Sequence, residues 1–92
     1  MKASWKEDIT LLLERNALEE AESRLLRLQE QIPGNDEVYF LLGNLYRKQS
    51  NWQKALQCYA QAIEINPESP AVHARRMITE IMNFYDKERY NV

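Results

Sequence analysis

Residues 39–46 read Tyr-Phe-Leu-Leu-Gly-Asn-Leu-Tyr, an apolar and aromatic run with one glycine inside it. Both flanks have a helical pattern, and glycine within a helix costs roughly 1 kcal/mol relative to alanine. A helix that keeps Gly43 therefore needs a packing reason. Close approach of a second, antiparallel helix supplies one, with the small Ala55 as the expected residue opposite.

Working outward, start signals divide the chain into five helices. Ser4 stands three residues before Glu7 and opens a first helix to about Arg15, with Trp5, Ile9, Leu12 and Leu13 on one stripe. Asn16 and Glu19 repeat the spacing and predict a second helix over 17–31, striped by Leu18, Ala21, Leu25 and Leu28. The third helix starts at Asn35 or Asp36 and runs through Gly43 to about Gln49. Ser50 and Gln53 form the next capping-box signal, ahead of a fourth helix that carries Ala55, Tyr59, Ala62 and Ile63 and ends before Pro67. Ser69 as N-cap and Pro70 at the first helical position open a fifth helix through Ile78, Ile81 and Tyr85, towards Tyr90.

These elements repeat at a spacing of 34 residues. Pro33 and Pro67 are so related, as are Trp5 and Tyr39, Leu12 and Tyr46, Asn16 and Ser50, Ala21 and Ala55, and Leu25 and Tyr59. Identity is confined to four positions of the 34, so what recurs is punctuation and side-chain size rather than residue type. A helical hairpin cannot bury its apolar stripe alone, and successive hairpins stack to cover one another. The expected fold is all-α: a right-handed solenoid of two helical hairpins with a capping helix. It forms a single domain over 1–92, with repeats over 2–35 and 36–69 and the cap over 70–90.

Bulk properties narrow the function. The chain has 92 residues, a net charge of −2 and only five glycines and prolines together, which favours long regular elements over disorder. Neither sign of charge is concentrated, so no polybasic footprint for nucleic acid or anionic lipid is present; Arg75/Arg76 and Lys87/Arg89 are too sparse. The single Cys58 excludes an internal disulfide, and no two-histidine metal pair, phosphate loop or nucleophile elbow occurs. No cofactor, metal or catalytic residue is expected. The early charges at residues 6–8 and the lack of a long apolar run point to the cytoplasm.

Residues 36–69 resemble the tetratricopeptide repeat: Tyr39, Leu42, Gly43 and Tyr46 in the first helix, then Ala55, Tyr59, Ala62 and Pro67, match its pattern at fixed spacing. Residues 2–35 match through Trp5, Leu12, Ala21, Leu25 and Pro33, and depart at Asp8, Ile9 and Leu28. From residue 70 only the first-helix half remains, as in a terminal helix covering the end of an array. The resemblance implies a non-catalytic protein–protein interaction module whose first helices line a groove for a peptide or partner helix. By register the groove would be lined by Lys6, Thr10, Leu13, Glu37, Phe40, Asn44, Arg47, Lys48, Ala74, Arg75 and Ile78. Phe40 and Asn44, off the stripe of Tyr39, Leu42, Gly43 and Tyr46, suggest a peptide platform; alternatively Phe40 contacts Lys6 or Ala74. Lys6 and Arg75 also match two basic columns of a peptide-carboxylate clamp, while Thr10, Leu41 and Ala71 do not match the other three.

Two isolated residues have plainer readings. His73 shares a column with Trp5 and Tyr39 and is expected to be packed and hydrogen-bonded; Cys58 aligns with Arg24 and is expected to be a surface thiol. The last helix carries more apolar residues (Ile78, Ile81, Met82, Phe84 and Tyr85) than one hairpin face requires. Either it self-associates, making the chain an architectural element that homodimerises through this helix, or its tail bends back over the domain.

Overall fold

The computed structural model describes the backbone of residues 4–90 and the side chains of residues 4–84. Five helices follow one another: α1 (Trp5–Glu14), α2 (Leu18–Gln31), α3 (Asp36–Lys48), α4 (Trp52–Ile65) and α5 (Ala71–Tyr90). No strand occurs among the described residues. Each helix packs on the next in sequence, and α1 also reaches α3 across the stack. The result is an elongated helical solenoid of 55 × 28 × 21 Å.

The helices begin where short polar side chains satisfy their first amides. Ser4 Oγ accepts from the Glu7 amide at 3.3 Å, and Asn35 Oδ1 accepts from Glu37 at 2.8 Å and Val38 at 3.3 Å. The buried Ser69 accepts from Ala71 at 3.1 Å. Asp36 and Glu37 in the first turn of α3, with Arg47 and Lys48 in its last, complement the helix dipole.

Two expected caps are corrected. Asn16 and Ser50 do not cap the helices that follow them; both lie in the left-handed region, with φ of 63° and 61°. Each is the residue that ends the preceding helix in a Schellman turn. The amides of Asn16 and Ala17 donate to the carbonyls of Leu13 and Leu12, at 3.1 and 2.8 Å. Thirty-four residues on, Ser50 and Asn51 donate to Arg47 and Tyr46, at 2.9 and 2.8 Å. The cap of α4 is Asn51, whose side chain accepts from the Lys54 amide at 3.2 Å, whereas α2 begins with no side-chain cap bond. The shared signal in Asn16 and Ser50 thus marks a tight corner that brings each hairpin's helices antiparallel. The left-handed conformation costs a non-glycine residue about 1–2 kcal/mol, which the two extra hydrogen bonds of each turn offset.

The core is a continuous apolar seam. Ile9, Leu13, Ala21, Leu25, Val38, Leu42, Leu45, Ala55, Tyr59, Ala62, Ala71 and Ile78 are all buried. Each large aliphatic side chain removed from water contributes about 1.5–3 kcal/mol. Two polar ties reinforce the seam across helices. The Tyr46 hydroxyl donates to Glu22 at 3.1 Å, linking α3 to α2, while Lys54 Nζ sits 5.3 Å from the Tyr46 ring centroid. Asn66 Nδ2 donates to Asp36 at 3.2 Å, linking the end of α4 to the start of α3.

Gly43 is buried, and the atoms nearest to where its Cβ would stand belong to the Tyr59 ring of α4. A Cβ at Gly43 would lie 2.5 Å from Cδ1 and 2.9 Å from Cζ of Tyr59, and nearer still to Cε1. The ring cannot readily yield. Tyr59 is wholly buried, its hydroxyl donates to Asn44 Oδ1 at 2.5 Å, and its ring lies 6.0 Å from that of Phe40. In the first hairpin the equivalent positions hold Ile9 and Leu25, both buried. A very small residue opposite a very large one is there replaced by two of middle size. That substitution explains how the first hairpin forms despite Ile9 in the glycine column.

Two consequences follow for stability. Gly43→Ala gains up to about 1 kcal/mol of helix propensity but incurs about 1–3 kcal/mol of overpacking, so urea unfolding should show a net loss; a variant clearly more stable than wild type contradicts this packing. Asn44→Ala leaves the buried Tyr59 hydroxyl without its acceptor and should cost about 1–3 kcal/mol. In the Tyr59→Phe background the same change should cost much less, and equal costs in both backgrounds would refute the coupling.

Candidate functional site

The face formed by α1, α3 and the start of α5 contains a hollow of about 190 Å³. Lys6 and Thr10 come from α1, Phe40 and Leu41 from α3, and Pro70 from the turn before α5, with Asp36 and Glu37 completing the lining. Phe40 is held half-buried by its contact with Tyr59. Lys6 Nζ lies 2.7 Å from Glu37 Oε2, a partly exposed ion pair that joins α1 to α3. The Thr10 hydroxyl donates back to the Lys6 carbonyl at 2.8 Å. The hollow therefore offers an apolar lining with an ion pair and a second carboxylate beside it.

Of the residues assigned to the groove by register, Lys6, Thr10, Glu37 and Phe40 meet at this hollow. Asn44, Arg47 and Lys48 lie further along α3 and do not line it. Arg75 is exposed on α5, beside a separate shallow hollow with Val72, Arg76, Thr79 and Glu80. Leu13, Ala74 and Ile78 are core residues, withdrawn from any ligand. Asn44 has a structural use as the acceptor for Tyr59. Sequence reading did not assign Asp36 and Pro70 to the groove; the proximity of Pro70 depends on how α5 enters the stack, which no local pattern reports.

Electrostatics give these groups little reactivity. Burial pushes the Tyr59 hydroxyl up to about 12, against the lowering effect of Arg47 and with a smaller raising effect from Cys58. Burial also raises Tyr46 to about 12, assisted by its hydrogen bond to Glu22. Both phenols therefore remain donors at neutral pH. Cys58 is half-buried against the core rather than a surface thiol, and burial raises it to about 11 despite nearby Lys54. A thiol so shifted is a poor nucleophile. His73 is exposed, not packed as its column suggested.

Among the described residues, no group of three histidine, cysteine, aspartate or glutamate side chains could hold a metal ion. Among the same residues, no helix is long and apolar enough to cross a membrane. The outer face of α5 shows Met77, Ile81, Met82 and Phe84 at 55, 41, 38 and 59% exposure. The α5 backbone stays helical to Tyr90. The side chains of Tyr85, Lys87 and Arg89, singled out in the sequence, lie outside the described residues.

Comparison with known proteins agrees with this architecture. A family model for the tetratricopeptide repeat matches residues 37–69. The solution NMR structure of Bacteroides fragilis protein BF1650 is similar at 44% sequence identity with a TM-score of 0.85, covering 97% of this chain and 91% of that one. No curated protein sequence gives a significant match. Repeats of the matched type generally mediate protein–protein interaction and are not generally catalytic. With its helical hairpins, its 34-residue register and these two matches, the chain belongs to the tetratricopeptide repeat family.

Proposed function

We propose that residues 1–92 act as one non-catalytic binding unit, with repeats over 2–35 and 36–69 closed by the helix over 70–90. Its ligand is an extended peptide or a helix of a partner protein, held across the face of α1, α3 and α5. The observation that carries this reading is the hollow where Lys6 and Thr10 meet Phe40 and Pro70. Its size suits a single side chain, and its Phe40, Leu41 and Pro70 surfaces favour an apolar anchor. Arg47, Lys48 and Arg75 stand on the same helices as flanking cations for the rest of the ligand. The Lys6 ammonium is already engaged by Glu37, so a carboxylate clamp would first have to displace that pair. An internal peptide segment fits better than a chain terminus.

A second reading concerns the outer face of α5, where Met77, Ile81 and Phe84 are exposed together. It makes α5 a contact between copies of the chain, compatible with an occupied groove on the other side.

The first reading is tested by selecting peptides from a display library on the intact chain and titrating the best binder. Thr10→Trp, which fills the hollow, should weaken binding by tenfold or more, and Arg47→Glu with Lys48→Glu should weaken it further. A substitution at the exposed Gln57 of α4 should leave binding unchanged, as should amidation of the peptide's C-terminus. Equal affinity for wild type and Thr10→Trp would overturn the groove assignment.

A further inference from the structure

The face of α3 that α4 covers includes Gly43, against Tyr59, and Tyr46, beneath Lys54. Thirty-four residues on, the corresponding positions of α5 are Met77 and Glu80, which with Ile81 and Phe84 line an open hollow of about 490 Å³. Where α3 has an antiparallel helix, the described residues place none on α5. This face of α5 thus has the same register as the face of α3 that α4 covers.

We propose that this face is covered by α5 of a second copy, the two helices crossing antiparallel about a two-fold axis; this rests on the second reading above. The sequence of the face is its own complement. With the axis between Ile78 and Thr79, Arg76 faces Glu80 of the second copy and Glu80 faces its Arg76. Met77 and Ile81 then lie against each other across the axis, and His73 meets Phe84 at each end. A parallel pairing in register would instead set Glu80 against Glu80 and Arg76 against Arg76, which like-charge repulsion disfavours. A two-fold contact uses one patch twice, so every group named finds its partner without a foreign helix. One helix pair is a small interface, and the association is weak in consequence.

Sedimentation equilibrium of the intact chain tests this at rising concentration, with circular dichroism verifying the fold of each variant. Wild type should self-associate. Arg76→Glu and Glu80→Arg each turn both inter-copy pairs from attraction to repulsion, and each alone should associate about tenfold more weakly. Mixing the two variants in equal amounts sets opposite charges face to face again and should restore association to the wild-type level. A wild type that is monomeric throughout would overturn both the second reading and this arrangement. A wild type that self-associates while either variant does so equally, or while the mixture fails to recover, would overturn the antiparallel arrangement and leave the contact through α5 standing.

Discussion

The second hairpin depends on the seating of the Tyr59 ring on the bare backbone of Gly43. That contact sets how closely α3 and α4 approach, and the side-chain Oδ1 of Asn44 fixes the ring by accepting from its hydroxyl. Because the ring fills the space a Cβ would need, the glycine's propensity cost of roughly 1 kcal/mol is exchanged for complete burial of a tyrosine ring. Phe40 packs against the same ring, tilted to it by 41°. The packing that closes the hairpin thus also orients the aromatic side chain that lines the hollow.

Much of this was legible in the sequence because it depends on periodicity and punctuation. The five helices and the 34-residue repeat follow from apolar spacing and from Ser4, Asn35, Ser69 and the prolines, all local signals. The readings that changed concern side-chain direction at a corner or a crossing. Asn16 and Ser50 resemble N-caps by residue type, yet a short polar residue also suits the left-handed position that ends a helix, and spacing alone does not separate the two. The small size of Gly43 suggests close helix approach, but spacing does not report that the Tyr59 ring fills the space left by the missing side chain.

The candidate site was less legible for a related reason. Register places residues on a helix face but does not say which neighbour claims them. Asn44 is claimed by Tyr59, Lys6 by Glu37, and Leu13, Ala74 and Ile78 by the core. His73 went the other way: its column is filled by Trp5 and Tyr39 where a covering helix follows, and α5 leaves it exposed. The same position in a repeat can therefore be half-buried against the core in one unit and exposed in the next. What the stack leaves uncovered is the hollow between α1, α3 and Pro70 and the outer face of α5.

The central claim is the contact of Tyr59 with Gly43, and proton NMR of the intact chain tests it most directly. A ring packed against the glycine must shift the Gly43 Hα resonances well away from their usual positions through its ring current. It must also give strong nuclear Overhauser effects between those protons and the Tyr59 ring. Both signals are the expected result, and both should persist in Asn44→Ala only as far as the ring keeps its orientation. Ordinary Gly43 shifts with no cross-peaks to Tyr59 in the wild type would contradict the account.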